Sequence, residues 1–240
     1  MASSAVYAFN DVFDRERDRQ HPSKCERPVA VGAVSVWAAI VIGVALATAA
    51  LAGAWALGTA VGACMVVYIA NNLTYSAALK HVVLFDVLSI AVGFVLRLLA
   101  GVYVVGELPT TWITLCAFFL ALFLGFGKRR AELGSDRAGR RPVLSRYTPA
   151  YLDTLLDSSA VMAIICYALF TTSPEHDPSL VMGVPIVFYA IMHYKRVVMV
   201  SDASEEPEQI LLRDPAILLS IALWLATYLA IEHGHLQLFR

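Results

Sequence analysis

Ten consecutive residues, Asn10-Asp11-Val12-Phe13-Asp14-Arg15-Glu16-Arg17-Asp18-Arg19, gather acids and arginines at the edge of a chain that is otherwise mostly apolar. If the run is helical, Asp11, Asp14 and Asp18 stand at i, i+3 and i+7, so three carboxylates share one face with Asn10 beside them. Hard divalent cations take such oxygens, and Mg2+ usually completes its shell with substrate phosphates. The run therefore reads as a Mg2+ site for a diphosphate, with Asp11, Asp14 and Asp18 as ligands. The alternative is a solvated helix cap whose acids pair with Arg15 and Arg19, four residues on.

Three other groups of polar residues lie against apolar sequence. Tyr75-Ser76-Ala77-Ala78-Leu79-Lys80 closes one apolar run, and Asp86 and Arg97 lie inside the next. Ionisable groups at membrane depth are costly, so they pair or face a polar cavity. Asp86 and Arg97 are eleven residues apart, about 16 Å by helix rise, too far to neutralise each other; a bound phosphate or a carboxylate on a neighbouring helix are the partners open to Arg97. The third group, Gly127-Lys128-Arg129-Arg130-Ala131-Glu132-Leu133, supplies the ammonium and guanidinium groups suited to phosphate oxygens, and Arg146, Tyr147 and Tyr151 follow it. A plain stop-transfer cluster would look similar. Asp153 and Asp157 have DxxxD spacing within an apolar helix; a paired or water-facing structural role is the first reading, and a second metal motif the alternative.

The elements that must position these groups are membrane spans. With 59% hydrophobic residues, the chain exceeds the roughly 45 to 50% apolar share of soluble domains and reads as an integral membrane protein. Apolar segments long enough to cross about 30 Å of hydrocarbon fall near 34–56, 58–79, 83–104, 110–127, 152–172, 179–197 and 214–232. Residues 1–9 are too short to cross and lack a signal peptide's basic region and cleavage site; they resemble the last two turns of a helix. Of 18 Lys and Arg, 16 fall on the side of connections 10–33, 80–82, 128–151 and 198–213, the exceptions being Arg97 and Arg240. That asymmetry places the acidic run on the cytoplasmic side of the cell membrane; Arg137, Arg140 and Arg141 read as orienting charges only. The four cysteines, Cys25, Cys64, Cys116 and Cys166, lie far apart with no CxxC pair, so neither a zinc site nor a disulfide framework is indicated.

Asn10-Asp11-x-x-Asp14-x-x-x-Asp18, followed by His21-Pro22-x-Lys24 and Arg27-Pro28, resembles the first aspartate motif of the UbiA-type superfamily of intramembrane prenyltransferases. Tyr75 to Lys80 sits where that superfamily has its tyrosine and lysine loop. The resemblance implies an all-α polytopic membrane bundle, one UbiA-like domain over residues 1–240, with nine helices in the family pattern of which the first and most of the second are not in this sequence. In place of the family's second DxxxD, Gly127-Lys128-Arg129-x-x-Glu132-Leu133 with Arg146-Tyr147-Thr148 is similar to the branch that transfers phosphoribose to decaprenyl phosphate for cell-wall arabinan. The activity so implied is Mg2+-dependent transfer of 5-phosphoribosyl from phosphoribosyl diphosphate to a polyprenyl phosphate. Its implied catalytic residues are Asp11, Asp14, Lys80 and Lys128, and its implied substrate-binding residues Asn10, Asp18, Lys24, Arg27, Tyr75, Arg97, Arg129, Glu132, Arg146 and Tyr147. Implied partners are the two substrates and the lipid bilayer, with no nucleic acid; a homo-oligomer is compatible with the sequence. Transfer of a prenyl group to an aromatic acceptor, and an inactive fragment, stand as alternatives.

Overall fold

A computed structural model describes residues 1–20, 24–134, 143–200 and 207–233. His21 and Pro22 of the aspartate motif, the loop arginines Arg137, Arg140 and Arg141, and Arg240 lie outside the described residues. Within them every regular element is a helix, and the chain divides into two compact units, Met1–Pro109 and Thr110–Arg240.

The first unit holds α1 (Ala2–Phe13), α2 (Arg15–Arg19), α3 (Pro28–Val31), α4 (Val36–Leu57), α5 (Thr59–Ala77) and α6 (Phe85–Val104). Helix α1 lies on α4 and α5, and α5 packs in turn on α4 and α6. Small residues let these backbones close up: a Cβ on Gly43 of α4 would come within 3.0 Å of the Phe9 ring of α1. Ser35 caps α4 by accepting from Ala38 N–H at 3.1 Å. Helix α4 passes into α5 through Gly58 alone, at φ 149°, a conformation that glycine reaches without the penalty of a Cβ. A 3-10 turn, Leu79–His81, links α5 to α6 and carries Lys80.

The second unit holds α7 (Thr111–Gly134), α8 (Pro149–Thr171), α9 (Gly183–Val200), α10 (Pro207–Arg213) and α11 (Pro215–Glu232). Helices α7 and α8 pack extensively, and α9 packs on α7, α8 and α11. The starts follow ordinary capping chemistry: Thr148 accepts from Tyr151 N–H ahead of Pro149, and Asp214 accepts from Ala216 and Ile217 N–H ahead of Pro215. The core of this unit includes the fully buried Phe123, Leu144, Leu152 and Leu156.

Among the described residues six helical segments are long and apolar enough to cross a membrane: Val36–Leu57, Phe85–Val104, Thr111–Gly134, Pro149–Thr171, Pro178–Val200 and Pro215–Glu232. They match six of the seven expected spans. The seventh, expected over 58–79, is the helix α5 but is not among the six. Its C-terminal half carries Asn71, Asn72, Thr74, Tyr75 and Ser76, which dilute its apolar character. Many large apolar side chains on α4 and α11, among them Trp37, Val41, Ile42, Trp55, Leu219 and Leu223, face outward, as a hydrocarbon solvent permits.

Candidate functional site

The acidic run is helical as its spacing predicts, with a break at Asp14 between α1 and α2. Backbone hydrogen bonds run through the break, from Asp14 N–H to Asn10 O and from Asp18 N–H to Asp14 O, each at 2.8 Å. The carboxylates therefore stay on one face. One nitrogen demonstrates it: Arg27 Nη1 donates to Asp11 Oδ1 at 2.8 Å and to Asp18 Oδ2 at 2.9 Å. Asp14 Oδ1 accepts from Lys80 Nζ at 2.6 Å, and Asn10 Oδ1 from Ser76 Oγ at 3.2 Å. The local pairs of the solvated-cap alternative do not form. Arg19 pairs with Glu16 and donates to Ala30 O, while Arg15 Nε is buried with no partner among the described residues.

Burial pushes the Asp11 carboxyl above its ordinary range; Arg27 opposes this, and the neighbouring Asp18 and Asp14 add to it. Nearby, burial together with Arg17 and Lys80 holds the His81 imidazole below its usual range. Among the described residues no three His, Cys, Asp or Glu side chains converge as a ready-made metal cage. Mg2+ does not require one, since it is commonly held by one or two carboxylates with water and phosphate oxygens completing the octahedron. Asp11 and Asp14, partly exposed on one face, supply that donor set, and Asp18 is buried at 3% exposure behind them. The residues present fit such an ion.

The remaining residues of the first unit are distributed along it. Lys24 and Tyr75 are half-buried, and Asp86 is fully buried at the start of α6. Arg97 has no carboxylate partner among the described residues; it is exposed and lines a cavity of about 210 Å³ with Ser3, Cys64 and Tyr68. Sequence reasoning passed over Asn71, whose Nδ2 donates to Ser89 O at 2.8 Å and ties α5 to α6. Two adjacent asparagines in an apolar helix were the available signal. It also passed over Ser76 as a partner of Asn10, a contact between residues 66 apart.

In the second unit Lys128 is half-buried near the end of α7. Arg129 is only 2% exposed and donates to Glu132 Oε2 at 2.8 Å, so these two expected substrate contacts engage each other. Asp153 accepts from Arg130 Nε at 2.7 Å, joining α8 to α7, and Asp157 accepts from Lys195 Nζ, joining α8 to α9. Both acids of the DxxxD spacing are thus counter-charged from a neighbouring helix. Arg146 is exposed, while Tyr147 is buried and stacks on Tyr151 with ring centroids 6.2 Å apart. A further pair had no sequence signal: His193 Nε2 lies 3.1 Å from Asp214 Oδ2. Burial raises the Asp214 carboxyl, but hydrogen bonds from Ile217 N–H, His193 and Ala216 N–H outweigh it and hold the group below its ordinary range.

The model of the UbiA prenyltransferase family matches residues 1–213. The chain is 36% identical, over 95% of its length and 76% of the relative's, to decaprenyl-phosphate phosphoribosyltransferase of Mycobacterium tuberculosis. It is 33% identical, over the same shares, to the protein of that name from Mycolicibacterium smegmatis. Among solved structures, that of a UbiA homolog from Archaeoglobus fulgidus bound to DMAPP and Mg2+ covers 96% of this chain and 83% of its own, with a TM-score of 0.75 and 20% identity.

Proposed function

The chain belongs to the UbiA prenyltransferase family, and from that membership we propose that it transfers 5-phosphoribosyl from phosphoribosyl diphosphate to a polyprenyl phosphate such as decaprenyl phosphate, releasing diphosphate, in the supply of cell-wall arabinan precursors. The relatives it resembles carry the name of that activity. The feature that favours it over prenyl transfer to an aromatic acceptor is the end of α7: prenyl transfer in this family uses a second acidic pair, and there this chain carries Lys128, Arg129 and Arg130 instead.

Asp11 and Asp14 are the residues that would hold Mg2+, with Asp18 acting from behind through water. When bound, the ion neutralises charge developing on the departing diphosphate. Lys80, once released from Asp14, offers an ammonium to the same phosphates, and Lys24 and Arg27 add donors from the segment before α3. Ser76 fixes the Asn10 side chain by its hydrogen bond to Oδ1, which leaves the amide hydrogens of Asn10 for substrate oxygens. Tyr75 and Arg97 are further substrate contacts in the first unit. In the second unit Lys128 and Arg146 provide cations for phosphate oxygens, Glu132 orients the Arg129 fork, and Tyr147 supplies an aromatic wall. The acceptor phosphate is already anionic near neutral pH, so no strong general base is required. The membrane is the plasma membrane, with the acidic run on its cytoplasmic face.

The deciding experiment supplies membranes containing the protein with phosphoribosyl diphosphate plus decaprenyl phosphate, or with a prenyl diphosphate plus 4-hydroxybenzoate. A lipid-linked phosphoribose from the first pair is expected; a prenylated aromatic from the second alone overturns the proposal.

A further inference from the structure

The acidic face is charged against itself, yet each of its carboxylates already has a cation. Arg27 Nη1 bridges Asp11 and Asp18 at 2.8 and 2.9 Å, and Lys80 Nζ sits 2.6 Å from Asp14. The two partners of Arg27 differ in kind. The Asp18 side chain is 4% exposed, whereas that of Asp11 is 25% exposed and that of Arg27 33%. One end of the bridge is therefore fixed inside the unit and the other opens outward.

A divalent cation arriving alone at Asp11 must displace a charge-assisted hydrogen bond and leave the guanidinium without its partner, which opposes binding. A cation arriving with a diphosphate brings oxygens to which that guanidinium can donate instead. Arg suits such an exchange because its planar fork can keep one donor on Asp18 while presenting others to phosphate. We propose that Arg27 is an exchangeable counter-ion: anchored on Asp18, it occupies Asp11 until a metal–diphosphate complex arrives, then passes from the carboxylate to the phosphate. Metal and diphosphate binding are thereby coupled, and free cation is discriminated against. The inference rests on the reading of Asp11 and Asp14 as metal ligands.

Equilibrium dialysis of the detergent-solubilised full chain, reading Mn2+ retained by protein with and without inorganic pyrophosphate in both chambers, tests it without recourse to turnover. In the wild type, pyrophosphate should tighten Mn2+ retention about 10-fold or more, within the usual range of coupling between two ligands. In Arg27→Gln, Mn2+ alone should bind several-fold tighter than to the wild type, and the gain from pyrophosphate should shrink to about 3-fold or less. Arg27→Lys, which keeps the charge but lacks the planar fork that can hold Asp18 with one nitrogen and offer another to phosphate, should fall between them, and it carries the test if Arg27→Gln does not elute as a folded species. Weaker Mn2+ retention in both variants without pyrophosphate, or an undiminished pyrophosphate gain, overturns the exchange while leaving the metal site standing. No retention by the wild type under either condition removes the metal site and the exchange together.

Discussion

Asp14 accepts from Lys80 and Asp11 from Arg27, so an amide at either position alters a charge without removing a packed side chain. Asp14→Asn should lower turnover by more than about 100-fold, because several kcal/mol of charge stabilisation at the leaving group corresponds to at least that factor. Its thermal melting in detergent should fall only modestly, the loss of the shielded Lys80 pair costing about 1 kcal/mol; near-normal turnover would remove Asp14 from the site. Lys128→Ala should cost about 10- to 100-fold in kcat/KM for phosphoribosyl diphosphate, the loss of one charge-assisted hydrogen bond of roughly 1.5 to 3 kcal/mol. Asp153→Asn should leave kcat/KM within about twofold, and a large loss there would revive the second metal motif. The shared face of Asp11, Asp14 and Asp18 was legible because helix period is a local property. Their partners were not: the sequence offers Arg15 and Arg19 one turn away, but Arg27 and Lys80, brought in by the segment before α3 and by the turn after α5, take the carboxylates instead.

Helix α8 is held by charge at two levels, Asp153 to α7 and Asp157 to α9. The Arg130–Asp153 pair is mostly shielded, and its loss in Asp153→Asn should cost about 1 kcal/mol, read as a modest fall in Tm. Helix α11 begins on a different device. Asp214 accepts from the Ala216 and Ile217 N–H groups and lies against His193, so Asp214→Ala should cost about 1 kcal/mol as a lost N-cap. Because the folded carboxyl is held below its ordinary value, its contribution is complete above the unfolded pKa of about 4 and is lost as pH falls through the lower folded value. The Tm gap between wild type and Asp214→Ala should therefore narrow as pH falls below about 4; a gap that widens there would contradict the sign. Span existence was readable from apolar length; the lower grade of α5 was written in its asparagines but outweighed by that length. Asn71 and Asn72 make it a less apolar helix than its neighbours, while the Asn71 bond to Ser89 O satisfies a polar group that its position in the sequence leaves unexplained.

Six apolar spans among the described residues and a family match from residue 1 to 213 make the protein an integral membrane protein of the UbiA family. The distribution of Lys and Arg carries a prediction about its orientation: cysteines placed at the exposed Gln20 and Glu175, in a background lacking the four native cysteines, should be labelled by impermeant maleimide from opposite sides of the membrane. Labelling of both from one side would break the span order. Membrane class was legible because hydrocarbon imposes length and composition directly, and the family because the spacing of Asn10, Asp11, Asp14 and Asp18 is a local signal, whereas helix neighbours depend on small-residue contacts such as Gly43 on Phe9, which no periodicity announces. The bond from Lys80 to Asp14 spans 66 residues of chain, and that separation becomes a delay when the protein is made. At about 5 to 20 residues per second, Asp14 is synthesised some 3 to 13 seconds before Lys80. For that interval a nascent chain must carry a cluster of carboxylates at a membrane border without this counter-charge, so the acidic segment is held out in water while α4 and α5 insert, and the site closes only when the turn after α5 has been synthesised.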